Sequence, residues 1–230
     1  MTMKKALLTT AYCLGLMLLL TLGSWQISRG LQKSEVLSKT ASGTEAPLTL
    51  SALPDDINPL DYKSATLQGS WDMERIILLD NRIYQSQLGY EVILPFQLNS
   101  GEYILVNRGW IGQSQASNLP TPSPAPITGT LYLPKKGFTL GETFLPGTIE
   151  SEEWPKISLY MDLKQFAQVL KHPISPLMMV LDADNPNSLT RIWKPVVIQP
   201  ERHYAYALQW FGLAIAFMVF GVIWFRRFKQ

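Results

Sequence analysis

ALLTTAYCLGLMLLLTLGSWQI (6–27) carries no charged side chain, and HYAYALQWFGLAIAFMVFGVIWF (203–225) carries none beyond the titratable His203. The uncharged runs, from Lys5 to Arg29 and from Arg202 to Arg226, are each about 23 residues long. As helix that is roughly 34 Å, enough for a hydrocarbon core of ~30 Å. Two transmembrane helices are the simplest reading. The first run outlasts the ~7–15 apolar residues of a cleaved signal peptide. It therefore reads as an uncleaved anchor, although Lys4, Lys5 and the small-residue site around Thr21-Leu22-Gly23 are what a signal peptide would also carry.

Charge placement sets the expected orientation. Lys4 and Lys5 precede the first run, and Arg226, Arg227 and Lys229 follow the second. All 18 acidic residues fall between them against 15 of the 20 basic ones, so the middle carries about −3. The positive-inside rule then puts both ends in the cytoplasm and the middle across the membrane. The expected organisation is cytoplasmic residues 1–5, a helix over 6–27, an extracytoplasmic domain over 28–202, a helix over 203–225 and cytoplasmic residues 226–230. In a bacterium this means the inner (plasma) membrane with a periplasmic main domain. In a mitochondrion the domain would face the intermembrane space.

The first helix should run on past the bilayer through ISRGLQKSEVLSK to Ser42-Gly43. Residues 47–59 turn to Pro, Asp, Ser and Asn and read as loop. Segments rich in Ile, Val, Leu, Tyr and Thr follow at 62–71, 75–80, 90–96 and 102–110, and Asn99-Ser100-Gly101 is a hairpin turn between the last two. PTPSPAP (120–126) is expected extended and exposed, residues 127–134 strand, and the glycine-bearing 137–150 a mobile loop. DLKQFAQVLK (162–171) places Leu163, Phe166, Ala167 and Leu170 on one helical face, with Asp162 as N-cap and Pro173 as the stop. LMMVLDA (177–183) is a further strand, and RIWKPVVIQP (191–200) an extended lead into the second membrane helix. The fold class is therefore α+β: two terminal transmembrane helices flanking a mainly antiparallel, β-rich extracytoplasmic domain. Ala11 and Gly15 are four apart, as are Gly212 and Ala216, and Gly23 falls near the first stripe. Small residues at that spacing let two helices approach closely, or are there by chance in helices where both are common.

Several function classes drop out. Cys13 is the one cysteine, so no internal disulfide, paired-thiol copper chaperone or thiol oxidoreductase is expected. Two histidines, His172 and His203, are too few for a protein-built zinc or copper site. No Ser-His-Asp set or nucleophilic cysteine marks an enzyme, and nothing points to nucleic acid. About five residues after the second run leave no output domain of a sensor kinase. His172, at a helix end before proline, is read as a surface or capping residue. In VNRGW, Gly109 permits a bulge or a positive φ, Asn107 can bond the turn's backbone, and Arg108 can reach a carboxylate or a partner or, as the blander reading has it, buttress the interior by pairing with Asp80 or another acid. Trp25, Trp110 and Trp210 read as indoles anchored at the outer membrane interface.

Three stretches carry a family likeness. LGSWQISRGLQK supplies Leu22, Gly23, Trp25, Gln26, Arg29 and Lys33. The central stretch from Asp80 supplies Asn81, Gly89, Tyr90, Pro95, Gly101, Val106, Asn107, Arg108, Gly109 and Trp110. The last supplies His203, Tyr206, Ala207 and Trp210. In order, spacing and two-helix topology the chain resembles the Surfeit locus protein 1 family of membrane-bound cytochrome c oxidase assembly factors. One departure is Glu201, where an asparagine often precedes the Arg-His pair. The resemblance implies a non-enzymatic factor that helps haem A, bound transiently, enter the catalytic subunit of the oxidase. Haem A synthase is a further partner and the lipid bilayer the setting. A membrane-anchored periplasmic scaffold or receptor with no haem role is the alternative.

His203 shares a helical face with Tyr206, Ala207 and Trp210, three, four and seven positions on. An imidazole at the lipid boundary, with alanine leaving space beside it and aromatic rings flanking it, can ligate a haem iron axially. Arg202 and Arg29 lie at the ends of the two helices, where they can neutralise haem propionates. The ordinary alternative is that histidine and tyrosine are interface residues and the arginines snorkel. In the family this histidine is the proposed haem contact, so the resemblance implies a cofactor-binding set of His203, Tyr206, Trp210, Arg202 and Arg29. His203 enters only as a haem-iron ligand, with no other metal.

Overall fold

The computed structural model describes residues 3–41, 46–124, 126–135, 141–144 and 147–227. It contains helix α1 (Met3–Ala41), strands β1 (Leu48–Leu50), β2 (Ser64–Leu67), β3 (Gly69–Trp71), β4 (Ile77–Tyr84), β5 (Gln87–Leu98), β6 (Tyr103–Gly112) and β7 (Ile127–Tyr132), then β8 (Lys156–Ser158), helix α2 (Leu163–Leu170), β9 (Met178–Leu181) and helix α3 (Pro200–Arg227). The class is α+β. Two compact units arise, a helix unit (Met1–Ser38 with Pro195–Gln230) and a sheet unit (Lys39–Lys194). The expected helix end at Ser42-Gly43 lies outside the described residues, as does part of the loop expected over 137–150.

In the helix unit both helices are long and apolar enough to cross a membrane. They run antiparallel: Tyr12 stacks on Phe217, ring centroids 4.8 Å apart, while Ser34 Oγ lies 3.3 Å from Tyr204 Oη at the other end. Hydrocarbon offers no hydrophobic drive for such pairing, so close contact must supply it. Glycines on one helix receive rings from the other. A Cβ on Gly23 would stand 2.8 Å from the Phe211 ring, Gly30 faces the Tyr204 ring, and Gly221 faces the Tyr12 ring. Ala207, Ala214 and Gly221 are buried at intervals of seven, the repeat of a nearly parallel-axis seam. The expected pairing is present, but one of the expected stripes is not in it. A Cβ on Gly212 would meet nothing within 4 Å, and Ala11 and Ala216 are exposed.

The sheet unit is one nine-stranded mixed sheet in the order β1-β2-β7-β9-β6-β5-β4-β8, with β3 also pairing β5. Most pairings are antiparallel; β1–β2, β4–β8 and β6–β9 are parallel. β5 and β6 form the expected hairpin, with Gly101 at φ +93 in its turn. The apolar run of β5 is continuous because both faces are covered. Ile93 joins Leu105, Phe166 and Leu170 on one side. Val92 and Leu94, then Phe96 and Leu98, fill clusters on the other. Pro95 falls between the stretches of β5 paired with β4 and with β3, and its carbonyl accepts from Asp72 N at 2.9 Å. Its missing N–H therefore breaks no ladder bond. Helix α2 has the expected cap, the Asp162 carboxylate accepting from Lys164 N and Gln165 N, but its core face is Phe166, Val169 and Leu170 rather than Ala167. The short β1 falls in the segment read as loop over 47–59, and β8 in a stretch to which the sequence reading gave no element. Three residues, laid parallel on a longer neighbour, leave no periodicity to find.

The NRGW stretch is a structural corner. The β5–β6 register places Val92 opposite Gly109 and Ile93 opposite Asn107, so Arg108 is the extra residue of a bulge. Gly109 takes φ +113, and its N–H donates to Asn107 Oδ1 at 2.8 Å. Asn107 Nδ2 donates to Glu91 Oε1 at 2.7 Å, and Arg82 Nε lies 2.9 Å from Glu91 Oε2. Arg108, 3% exposed, is the expected internal buttress, but with carbonyls in place of an acid. Its Nε donates to Asn187 O at 2.9 Å and its Nη1 to Pro120 O at 2.8 Å. Asp80 instead accepts from Asn81 N. Burial lowers the pKa of Arg108 to about 10, so it stays a buried cation at neutral pH. The proline segment after Pro120 is extended and mostly exposed as expected, and is tied down further by Asn187, whose Oδ1 accepts from Ser123 N at 2.6 Å. Trp110 is no interface anchor. It is 7% exposed within β6, and its Nε1 donates to Arg82 O at 2.8 Å.

Two outcomes follow. In the full chain with Cys13→Ser, cysteines at Ser34 and Tyr204, positions whose side-chain tips meet across the seam, should be joined by a bifunctional thiol reagent that spans a tyrosine's length. Adding Gly212→Leu should leave the yield unchanged, whereas Gly23→Leu should lower it several-fold, since leucine there displaces the Phe211 ring. Asn107→Ala strips buried Glu91 and the Gly109 N–H of a partner and should cost about 2–4 kcal/mol, read as a lower melting midpoint of the detergent-solubilised chain by tryptophan fluorescence.

Candidate functional site

Helix α3 starts with Pro200, whose missing N–H is harmless in a first turn, followed by Glu201 where an acid favours the helix dipole. His203 completes that turn. It lies three residues after Pro200 and four before Ala207, both buried, so the seam's own repeat turns the imidazole toward α1. On α1 the matching position is Gln26, between the ring-receiving Gly23 and Gly30. His203 Nδ1 lies 2.8 Å from Gln26 Oε1. The other ring nitrogen, Nε2, is buried and has no hydrogen-bond partner among the described residues. Buried polar atoms are nearly always paired, so an orphan of this kind calls for a reason.

The remaining expected site residues surround this pair unevenly. Tyr206 is half exposed and Trp210 partly buried, one and two turns along α3. Ala207 does not leave open space beside the imidazole, because it is itself buried. Arg202 is exposed. Arg29, also exposed, donates from Nη1 to Gln32 Oε1 at 3.2 Å and holds its guanidinium 5.6 Å from the centroid of the Trp25 ring. Because Gly30 receives the Tyr204 ring, Arg29 and Arg202 stand at the same level as the Gln26–His203 contact. The structure thus gathers one imidazole, one amide and two cations at one end of the helix pair.

Gln26 was matched in sequence as part of a motif but given no role. The signal was present: an amide inside an uncharged run is costly unless it finds a polar partner. His172, the second histidine, stacks on Tyr103 with centroids 3.9 Å apart, and its Nδ1 lies 3.4 Å from Pro173 O. Its Nε2 is also buried without a hydrogen-bond partner among the described residues, so what sets His203 apart is its place beside Gln26 and two arginines at the end of an apolar helix pair.

The chain is similar to known proteins along most of its length. The model of the SURF1 family matches residues 14–215. A SURF1-like protein of Rickettsia felis is 28% identical over 224 residues, covering 91% of this chain and 92% of the relative. A SURF1-like protein of Dictyostelium discoideum is 32% identical over 111 residues, covering 44% of this chain and 41% of the relative. Surfeit locus protein 1 of Gallus gallus is 25% identical over 250 residues, covering 96% of this chain and 72% of the relative.

Proposed function

The chain belongs to the SURF1 family, and on that premise we propose that it is a membrane-anchored assembly factor for haem–copper cytochrome c oxidase, holding haem A in transit to the catalytic subunit. The observation that carries this reading is the partnerless Nε2 of His203. An imidazole nitrogen with no donor or acceptor beside it, at the end of an apolar helix pair, suits an axial contact to haem iron once the side chains that cover it move aside, because Nε2 is buried in the haem-free protein. Haem A is cargo here rather than a resident group. Tyr206 and Trp210 offer aromatic surface to a porphyrin, and Arg29 and Arg202 offer cations to its propionates. The protein acts by binding: it makes and breaks no covalent bond. Haem A synthase, which makes the cargo, is the proposed donor side of the transfer.

The orientation we propose has both termini in the cytoplasm and the sheet unit outside, in the inner membrane of a bacterium. It rests on the basic flanks of the two uncharged runs. The site at the start of α3 then lies at the outer surface of the bilayer.

Two measurements test these proposals. His203→Ala and the unaltered chain, purified from the same haem-A-producing cells, should differ: the variant inserts normally but loses most of its haem and its Soret band. Equal haem content would reduce His203 to an interface anchor and leave the scaffold reading. For topology, a reporter active only outside the cytoplasm should work when fused after Lys194 and stay silent when fused after Arg227. The reverse pattern would sink the orientation.

A further inference from the structure

A neutral imidazole carries one N–H, on either nitrogen, and only the bare nitrogen can bind a metal. In water neither choice is enforced. Here it is. The amide oxygen of Gln26 lies 2.8 Å from Nδ1. Two lone pairs facing each other at that distance repel, so the proton belongs on Nδ1, which donates to Gln26. The bare lone pair is then on Nε2, the nitrogen left without a partner. We infer that Gln26 is the positioning residue of the His203 site: it selects the tautomer in which Nε2 is the ligating atom and fixes the plane of the ring. The inference deepens the haem-binding reading and rests on it for its purpose, but the tautomer itself is a property of the protein alone.

The rest of the seam supports the assignment. Gln26 cannot drift from His203, because the rings of Phe211 and Tyr204 are seated on Gly23 and Gly30, one turn to either side of it. Metal-bound histidines commonly donate their second N–H to a carbonyl or a carboxylate, and that contact raises the basicity of the ligating nitrogen. A glutamine polarises the ring less than a carboxylate does. The ligand it prepares is oriented yet only weakly polarised, which suits a bond that must be released at hand-over.

The test has an arm that needs no haem. With only two histidines in the chain, nitrogen-15 histidine labelling of the full-length protein in detergent gives two ring systems. His172→Gln removes one and assigns the other. Unaltered protein should show His203 with a protonated Nδ1 and a bare Nε2. Gln26→Leu should shift the population toward protonated Nε2. Finding Nε2 protonated in the unaltered protein would overturn the inference, whatever the protein does with haem. The second arm is a haemin titration followed at the Soret band. Gln26→Leu should bind about 10–100-fold more weakly. Gln26→Glu, which keeps an acceptor, should restore binding and move the reduction potential of the bound haem to a more negative value. Equal haemin affinity in Gln26→Leu, with the tautomer changed, would remove Gln26 from the binding site. If His203→Ala binds haemin as well as the unaltered chain, the haem reading fails while the tautomer result stands. Should Gln26→Leu not insert, the Gln26→Glu potential and the tautomer of the unaltered protein still decide.

Discussion

The seam between α1 and α3 is the constraint on which the rest of the helix unit depends. Two helices in hydrocarbon exchange lipid contacts for each other's, so apolar burial gives them little reason to pair. They pair here through shape. Gly23 and Gly30 on α1 receive rings from α3, and Gly221 on α3 receives the Tyr12 ring from α1. Exchange in both directions fixes the register more tightly than a one-sided glycine groove, because sliding by one turn would drive a ring into a side chain at each site. That register puts Gln26 opposite His203. The polar contact is a consequence of the packing rather than its cause: one hydrogen bond contributes about 1 kcal/mol, less than the summed contacts of the seated rings.

The sheet unit obeys a separate constraint. A cation with no carboxylate partner among the described residues is held inside it, and the bulge at Arg108 aims that cation. Removing one residue from the β6 ladder turns the guanidinium toward the carbonyls of Asn187 and Pro120. Two other segments, at Pro120 and Asn187, are thereby tied to β6 by one side chain. Tyr132 shows the same economy of partners: burial pushes its phenol pKa well above the ordinary value, so it remains a neutral donor, to Met178 Sδ at 3.6 Å. The charged and polar residues that stand out in the central stretch are thus occupied in holding the sheet together.

What could be read in the sequence follows the length of the signal. The terminal helices, the β5–β6 hairpin, β9 and the Asp162-capped helix were legible because each carries many periodic residues or a turn with a definite backbone demand. β1 and β8 were not, being three residues long and defined by their neighbours. The site was half legible. His203 and its arginines stand out as polar groups at the edge of an apolar run, and the likeness to a family assigned them a purpose. The partner of His203 was not legible, since Gln26 lies 177 positions away and its facing depends on the seam register. The small-residue spacing at Gly212 and Ala216 was legible and misleading: the seam uses the seven-residue repeat of Ala207, Ala214 and Gly221 instead. Trp110 misled in the same way, because an indole near a membrane protein's motif is as readily a core residue with a carbonyl partner.

The polar inventory of the helix unit sets Gln26 and His203 apart from its other polar groups. Thr9, Thr21 and Ser24 return their hydroxyls to carbonyls one turn back on their own helix. The Tyr12 hydroxyl reaches the carbonyls of Phe217 and Met218 across the seam. These are the economical solutions open to a polar group in hydrocarbon, and each is complete within the protein. Gln26 and His203 take a different course. They satisfy each other on one side and leave Nε2 bare on the other. An unpaired buried acceptor costs about 1–3 kcal/mol, and an amide within an apolar run adds its own cost. A phenylalanine at 203 and a leucine at 26 would anchor and pack without either cost. Both costs fall at one point, in the geometry that leaves Nε2 without a partner, and that coincidence is what supports the proposed contact with a ligand from outside the chain.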